Sequence, residues 1–219
     1  MFWDKVAWAY DLFADIYNGK THRELCREVA GLVSTTDDVL ECACGTGMLT
    51  VHIAPVCHQI VATDFSHKML RKAKKKCRHF QNATFELANI QNLSYPDGSF
   101  DKVIAANVIH LLDEPLKALS ELDRVCRPGG KLIIPTYMNR EHNGGKASGF
   151  AKVVGKAGAD FKRQFTLSSY RKFFTDTGYE DVILTMVEGR VPCAIAVMTK
   201  QITSGESMGI SGLKECPFI

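Results

Sequence analysis

The sequence predicts a single α/β domain built on a mostly parallel sheet with helices on both faces, and three observations carry that expectation. Segments of strand and helix character alternate from Val39 to Thr136, the pattern of strands joined by crossover helices. Within it, Val39 to Thr50 reads as a buried strand, a tight turn holding Gly45 and Gly47, and the start of a helix. The chain is also long enough for one sizeable core, with 219 residues of which 46% are hydrophobic.

Composition excludes more than it identifies. A formal charge of +3, from 27 basic and 24 acidic side chains, is too balanced to imply a nucleic-acid or membrane partner. The eight cysteines lie mostly within apolar runs, as Cys42, Cys126 and Cys193 do, and no secretory signal precedes them. Reduced thiols in a cytoplasmic protein are therefore expected. Cys42 and Cys44 stand too close together for a structural zinc pair, so no metal site is expected. No apolar run approaches the length of a membrane span.

The N-terminal segment places Phe2, Trp3, Val6, Tyr10, Phe13, Ile16 and Tyr17 at helical spacing, which gives one strongly apolar face that must cover something. A second helix is expected over Thr21 to Leu32. The first strand then ends in a carboxylate, Glu41, before the glycine turn. Such a turn is a ligand cradle, because glycine lets the backbone approach a ligand closely and the next helix points free N–H groups into the same space. A dinucleotide site would require a third glycine where Thr50 stands, and Glu41 would repel a pyrophosphate. A cofactor carrying an ammonium group suits the loop better.

The pattern Glu41-x-x-x-Gly45-x-Gly47 resembles the first motif of the class I S-adenosylmethionine (SAM) dependent methyltransferases, with Cys44 at a place where that family accepts several small residues. The resemblance implies a Rossmann-like sheet of seven strands with an antiparallel last strand, and SAM as the cofactor. It implies that Glu41, Ala43, Gly45 and Gly47 hold the methionine end, and that Tyr10 and Tyr17 fold over the cofactor. Ordinary core packing is the other reading of those two tyrosines.

Farther along, Gln59 to Thr63 reads as the second strand, ending at Asp64. This acid follows the glycine turn at the distance where a carboxylate meets a ribose diol. Ser66 is the expected N-cap of a helix to about Phe80, with Met69 and Leu70 inward, and Phe65 and Met69 near the adenine. Its outer side carries Lys68, Arg71, Lys72, Lys74, Lys75, Lys76 and Arg78, a solvated face or a docking face for an acidic partner. After a short third strand, Asn89 and Ile90 fall where the resemblance implies contacts to the adenine. The family commonly has an acid in place of Asn89, whose amide oxygen still accepts a hydrogen bond.

Pro96-Asp97-Gly98 turns the chain into the fourth strand, Lys102 to Ala106, whose carboxyl end carries Asn107 to Leu112. By resemblance Asn107 lies beside the methionine moiety, and His110 either lines the pocket or takes a proton from the nucleophile. Pro115 opens the next helix, which Arg127-Pro128-Gly129-Gly130 ends before a fifth strand over Lys131 to Thr136. Residues 137–165 form a polar insertion, where Tyr137, Met138, Phe150, Phe161 and Phe165 are candidate pocket residues. A helix over Thr166 to Thr177 and two extended runs, Asp181 to Glu188 and Pro192 to Lys200, complete the sheet.

The expected organisation is one SAM-dependent methyltransferase domain over residues 1–200. Residues 1–35 supply helices over the cofactor site, 137–165 supply an insertion or lid, and 201–219 form a loosely ordered tail. The expected activity is methyl transfer to a small-molecule acceptor, with no nucleic acid as partner. Two other functions fit the same motifs: a non-catalytic SAM-binding regulator, and an RNA or protein methyltransferase docking through the basic helix.

Overall fold

A computed structural model describes residues 18–139 and 162–202. Tyr10, Tyr17, Phe150, Phe161, most of the expected insertion and nearly all of the tail lie outside the described residues. Residues 18–30 are helical and form α1, whose Leu25 and Val29 are fully buried. The remaining elements are β1 (Asp38–Cys42), α2 (Thr50–Ile53), β2 (Gln59–Asp64), α3 (His67–Lys76), β3 (Ala83–Leu87), β4 (Phe100–Ala105), α4 (Pro115–Val125), β5 (Cys126–Tyr137), α5 (Leu167–Thr175), β6 (Ile183–Val187) and β7 (Cys193–Thr199).

The seven strands form one sheet in the order β3-β2-β1-β4-β5-β7-β6. The first five pair in parallel, and β7 runs antiparallel between β5 and β6. This is the Rossmann-like arrangement expected. Two cores cover its faces. Leu40, Ile134, Leu122, Tyr170 and Phe174 pack on one side with α4 and α5, and Val39, Ile104, Ile133, Leu25 and Ile53 pack on the other with α1 and α2. The buried Tyr170 hydroxyl donates to Ile134 O at 2.6 Å, so its polar end is satisfied inside the first core.

The helix after the glycine turn is a single turn followed by a 3₁₀ segment, Ala54–Val56, because Pro55 lacks the N–H needed to continue it. The start of the fifth strand differs from the sequence reading. The Arg-Pro-Gly-Gly segment is not a turn ahead of β5 but a bulge within it: Phe100 pairs with Cys126, and Lys102 pairs next with Lys131. Arg127, inside the bulge, pairs with Asp101, and a Cβ on Gly130 would meet Arg127 O and Asp101 O at 2.8 Å. Lys200 Nζ closes the same corner, donating to Asp123 O at 2.6 Å and Cys126 O at 2.9 Å.

All seven described cysteines are buried and reduced. Burial pushes the thiols of Cys42 and Cys126 up to about 12, so they remain neutral. Among the described residues no helix is long and apolar enough to cross a membrane.

Candidate functional site

The strand order reverses direction between β1 and β4, and open α/β sheets place ligands at the carboxyl ends of such neighbouring strands. A cavity of about 340 Å³ lies there. It is lined by the loop after β1, the end of β2, the start of α3, residues 88–91 after β3, and residues 106–108, 111 and 112 after β4. Glu41, Ala43, Gly45, Asp64, Phe65, Met69, Asn89, Ile90 and Asn107 all border it; Gly47 and His110 do not.

Local chemistry shapes the loop. Ala43 and Asn107, each just past a strand, adopt left-handed backbone with φ of 55° and 52°. That conformation is uncommon outside glycine, and Asn tolerates it better than most residues. Gly47 has φ +80°, and a Cβ there would lie 3.2 Å from Ala73, so this glycine lets the loop pack on α3. Gly45 has φ +57°, and among the described residues nothing lies within 4 Å of where its Cβ would be, at the cavity wall.

Asp64 ties the loop to β2. Its Oδ2 accepts from Gly45 N at 2.8 Å and its Oδ1 from Ser66 N at 2.8 Å. A carboxylate oxygen accepts more than one hydrogen bond, so the side chain that organises the loop has the chemistry to receive ligand hydroxyls as well. Ser66 caps α3 by accepting from Met69 N at 3.2 Å. Met69 is thereby buried against the cavity, whereas Phe65 remains 58% exposed at its rim.

Glu41 is buried beneath the loop, where Thr50 donates to its Oε2 at 2.6 Å. Burial raises its carboxyl to about 8, with Asp64 adding to the rise and the Thr50 hydrogen bond opposing it. Thr50, which occupies the place of a third glycine, thus anchors the acid. Nothing in the local pattern announced this, nor the donation from Lys76 Nζ to Thr46 Oγ1 at 3.3 Å.

On the opposite wall, Asn107 N donates to Pro135 O at 2.8 Å, and its side-chain Oδ1 is buried with no partner among the described residues. Asn89 Oδ1 accepts from Gln91 N at 3.0 Å, so that oxygen is partly committed to its own turn. His110 is buried, and burial pushes its imidazole down to about 4. Of the candidate pocket residues after β5, Met138 and Phe165 pack into the core beside Tyr170. The outer face of α3 exposes Lys68, Arg71, Lys74, Lys75 and Arg78.

Fold and cavity together define a doubly wound α/β protein with a ligand-sized cavity at the switch point of its sheet. Residues 40–134 match the family model described as "Methyltransferase domain". Over 193 residues the chain is 31% identical to the phosphatidylethanolamine N-methyltransferase of Cereibacter sphaeroides, covering 84% of this chain and 90% of that one. The protein belongs to the class I SAM-dependent methyltransferases, whose cofactor is S-adenosylmethionine. It is 30% identical over 135 residues to the demethylmenaquinone methyltransferase of Tropheryma whipplei, a match covering 60% of this chain and 55% of that relative. Among solved structures, the magnesium protoporphyrin IX methyltransferase of Synechocystis with bound S-adenosylhomocysteine superposes with a TM-score of 0.63 at 19% identity, covering 83% of this chain and 84% of that one.

Proposed function

We propose that the protein transfers a methyl group from SAM to a nucleophilic atom of a small acceptor with an apolar body. The observation that carries this is the convergence on one cavity of a buried acid, a buried amide oxygen with no partner among the described residues and a carboxylate suited to a ribose: Glu41, Asn107 and Asp64. Ionised Glu41 and the Asn107 oxygen are acceptors for an α-ammonium group, and Asp64 for a ribose diol. Met69 and Ile90 offer apolar surface to an adenine, with Phe65 at its rim.

When bound, the cofactor supplies a methyl activated by a positive sulfur, so the leaving group needs no further assistance. The protein's part is to bind, orient and exclude water. Val108, Leu111 and Leu112 give the cavity an apolar wall at the end of β4. That wall supports an acceptor with an apolar body. So do the relatives, which are named for demethylmenaquinone and phosphatidylethanolamine.

Calorimetric titration with SAM tests the binding half, and release of S-adenosylhomocysteine across a panel of lipid amines, phenols and quinols tests the transfer half. Failure to bind SAM would sink the proposal. Asp64→Asn should be included beside Asp64→Ala, since the alanine variant also loses both bonds that hold the loop.

A further inference from the structure

The motifs leave one cluster of titratable side chains unused. Tyr137, the last residue of β5, places its hydroxyl 2.9 Å from Nε2 of His22 on α1. The ring of His110 meets the same tyrosine at 6.0 Å and 67°, an edge contact. Both histidines are buried and Tyr137 is half-buried. His22 is held firmly, because Asn18 one turn earlier donates to Val191 O at 2.9 Å and accepts from Thr21 at 2.8 Å.

His22, His110 and Tyr137 are not among the residues that line the cofactor cavity, but strand register puts Tyr137 on the same sheet face as two residues that are. Residues two apart on a strand share a face, so Glu41 points to the same side as Val39. Val39, Ile104, Ile133, Ala106 and Tyr137 pack in one core cluster, which puts Glu41, Ala106 and Tyr137 on one face of the adjacent strands β1, β4 and β5. Glu41 and Ala106 line the cavity. Asn107 bonds to Pro135, so Tyr137 stands two residues beyond that contact, past the carboxyl end of β4.

We propose that the Tyr137 hydroxyl, backed by His22, receives the proton given up by the acceptor's nucleophilic atom. The proposal rests on the methyl-transfer reading above. As the acceptor atom bonds to the methyl carbon and the carbon–sulfur bond breaks, Tyr137 Oη takes the acceptor's proton and passes its own to His22 Nε2. The imidazolium then carries the positive charge that the sulfonium has lost. An imidazole nitrogen facing a hydroxyl can accept a proton and release it again. His110, kept neutral by burial, packs on the ring without adding a competing charge. Arg163 turns away: its backbone N donates to His110 O at 3.1 Å, and its guanidinium donates to Leu112 O at 2.7 Å.

The test compares unmodified protein with Tyr137→Phe, His22→Gln, His22→Ala and the Tyr137→Phe/His22→Gln pair, measuring S-adenosylhomocysteine release on the acceptor panel and SAM affinity by calorimetry. Each of Tyr137→Phe and His22→Gln should lower kcat by about a hundredfold or more while leaving SAM affinity unchanged, and the pair should be no worse than either alone. Glutamine can still accept the tyrosine's hydrogen bond but cannot be protonated, so it separates proton uptake from mere positioning. Added imidazole should restore turnover to His22→Ala. Nitrogen-15 spectra of His22 should show Nδ1–H with Nε2 accepting, a signature that Tyr137→Phe abolishes. Retention of kcat within about threefold by Tyr137→Phe or His22→Gln, with the unmodified protein active, overturns the relay alone. No turnover by the unmodified protein on any acceptor sinks the methyl-transfer reading and takes the relay with it.

Discussion

Lowering the pH from 7 to 6 should weaken SAM binding about ninefold if Glu41 receives the ammonium as proposed, because that acid is mostly protonated before the ligand arrives. Burial lifts the Glu41 carboxyl to about 8. The ionised fraction is then about 9% at pH 7 and about 1% at pH 6. If only the carboxylate accepts the ammonium, affinity follows that fraction, a difference of about 1.3 kcal/mol. Binding at pH 7 should also release about 0.9 proton per cofactor, which appears as a binding heat that changes between buffers of different ionisation enthalpy. The useful window closes near pH 7.5, since an α-amino group itself loses its proton at about 8. Glu41→Gln should bind more weakly at pH 7 and lose the pH dependence. Calorimetry from pH 6 to 7.5 in two buffers reads all of this. A dissociation constant flat within about twofold, with no buffer-dependent heat, would refute the assignment of Glu41 as the ammonium's partner.

The same acid sets a stability trend in the ligand-free protein. Its pKa is raised on folding, so its contribution is full below the ordinary value of 4.5 and is lost as pH rises through about 8. The slope is about 1.4 kcal/mol per pH unit between those values, and urea midpoints of wild type against Glu41→Gln at pH 5.5 and 7.5 should show it. The two loop glycines should separate. Gly47→Ala, strained at φ +80° and pressed on Ala73 at 3.2 Å, is expected to cost about 2 kcal/mol or more in thermal unfolding. Gly45→Ala, with no described residue within 4 Å of its Cβ, should cost about 1 kcal/mol and act mainly on SAM affinity; equal losses of stability would contradict this division. Tyr170→Phe removes a fully buried donor from Ile134 O and should lower urea stability by about 1–3 kcal/mol without changing SAM affinity. Reversing charge on α3 with Lys72→Glu and Lys75→Glu should leave both SAM affinity and turnover of a small acceptor unchanged, whereas lost turnover would favour docking through that face.

What the sequence discloses is chemistry that neighbours in the chain decide among themselves. Gly45 and Gly47 mark a turn because only glycine takes those dihedrals without strain, and Asp64 follows at the spacing one crossover imposes. The seven-stranded sheet with its antiparallel last strand is expected from the family resemblance of the Glu41-to-Gly47 motif. Contacts that depend on register across the sheet leave no such trace. Arg127 to Gly130 has the composition of a turn, and only the pairing of Phe100 with Cys126 makes it a bulge. The bond between His22 and Tyr137 spans 115 positions, and neither residue sits in a motif. The division has a functional consequence. On the function proposed above, the cofactor is held by the glycine turn and Asp64, which lie in one crossover unit, with Asn89 and Asn107 added from beyond β3 and β4. The groups proposed to meet the acceptor come instead from α1 and the end of β5, so on that reading acceptor specificity rests on tertiary contacts, where related chains can differ while sharing every motif.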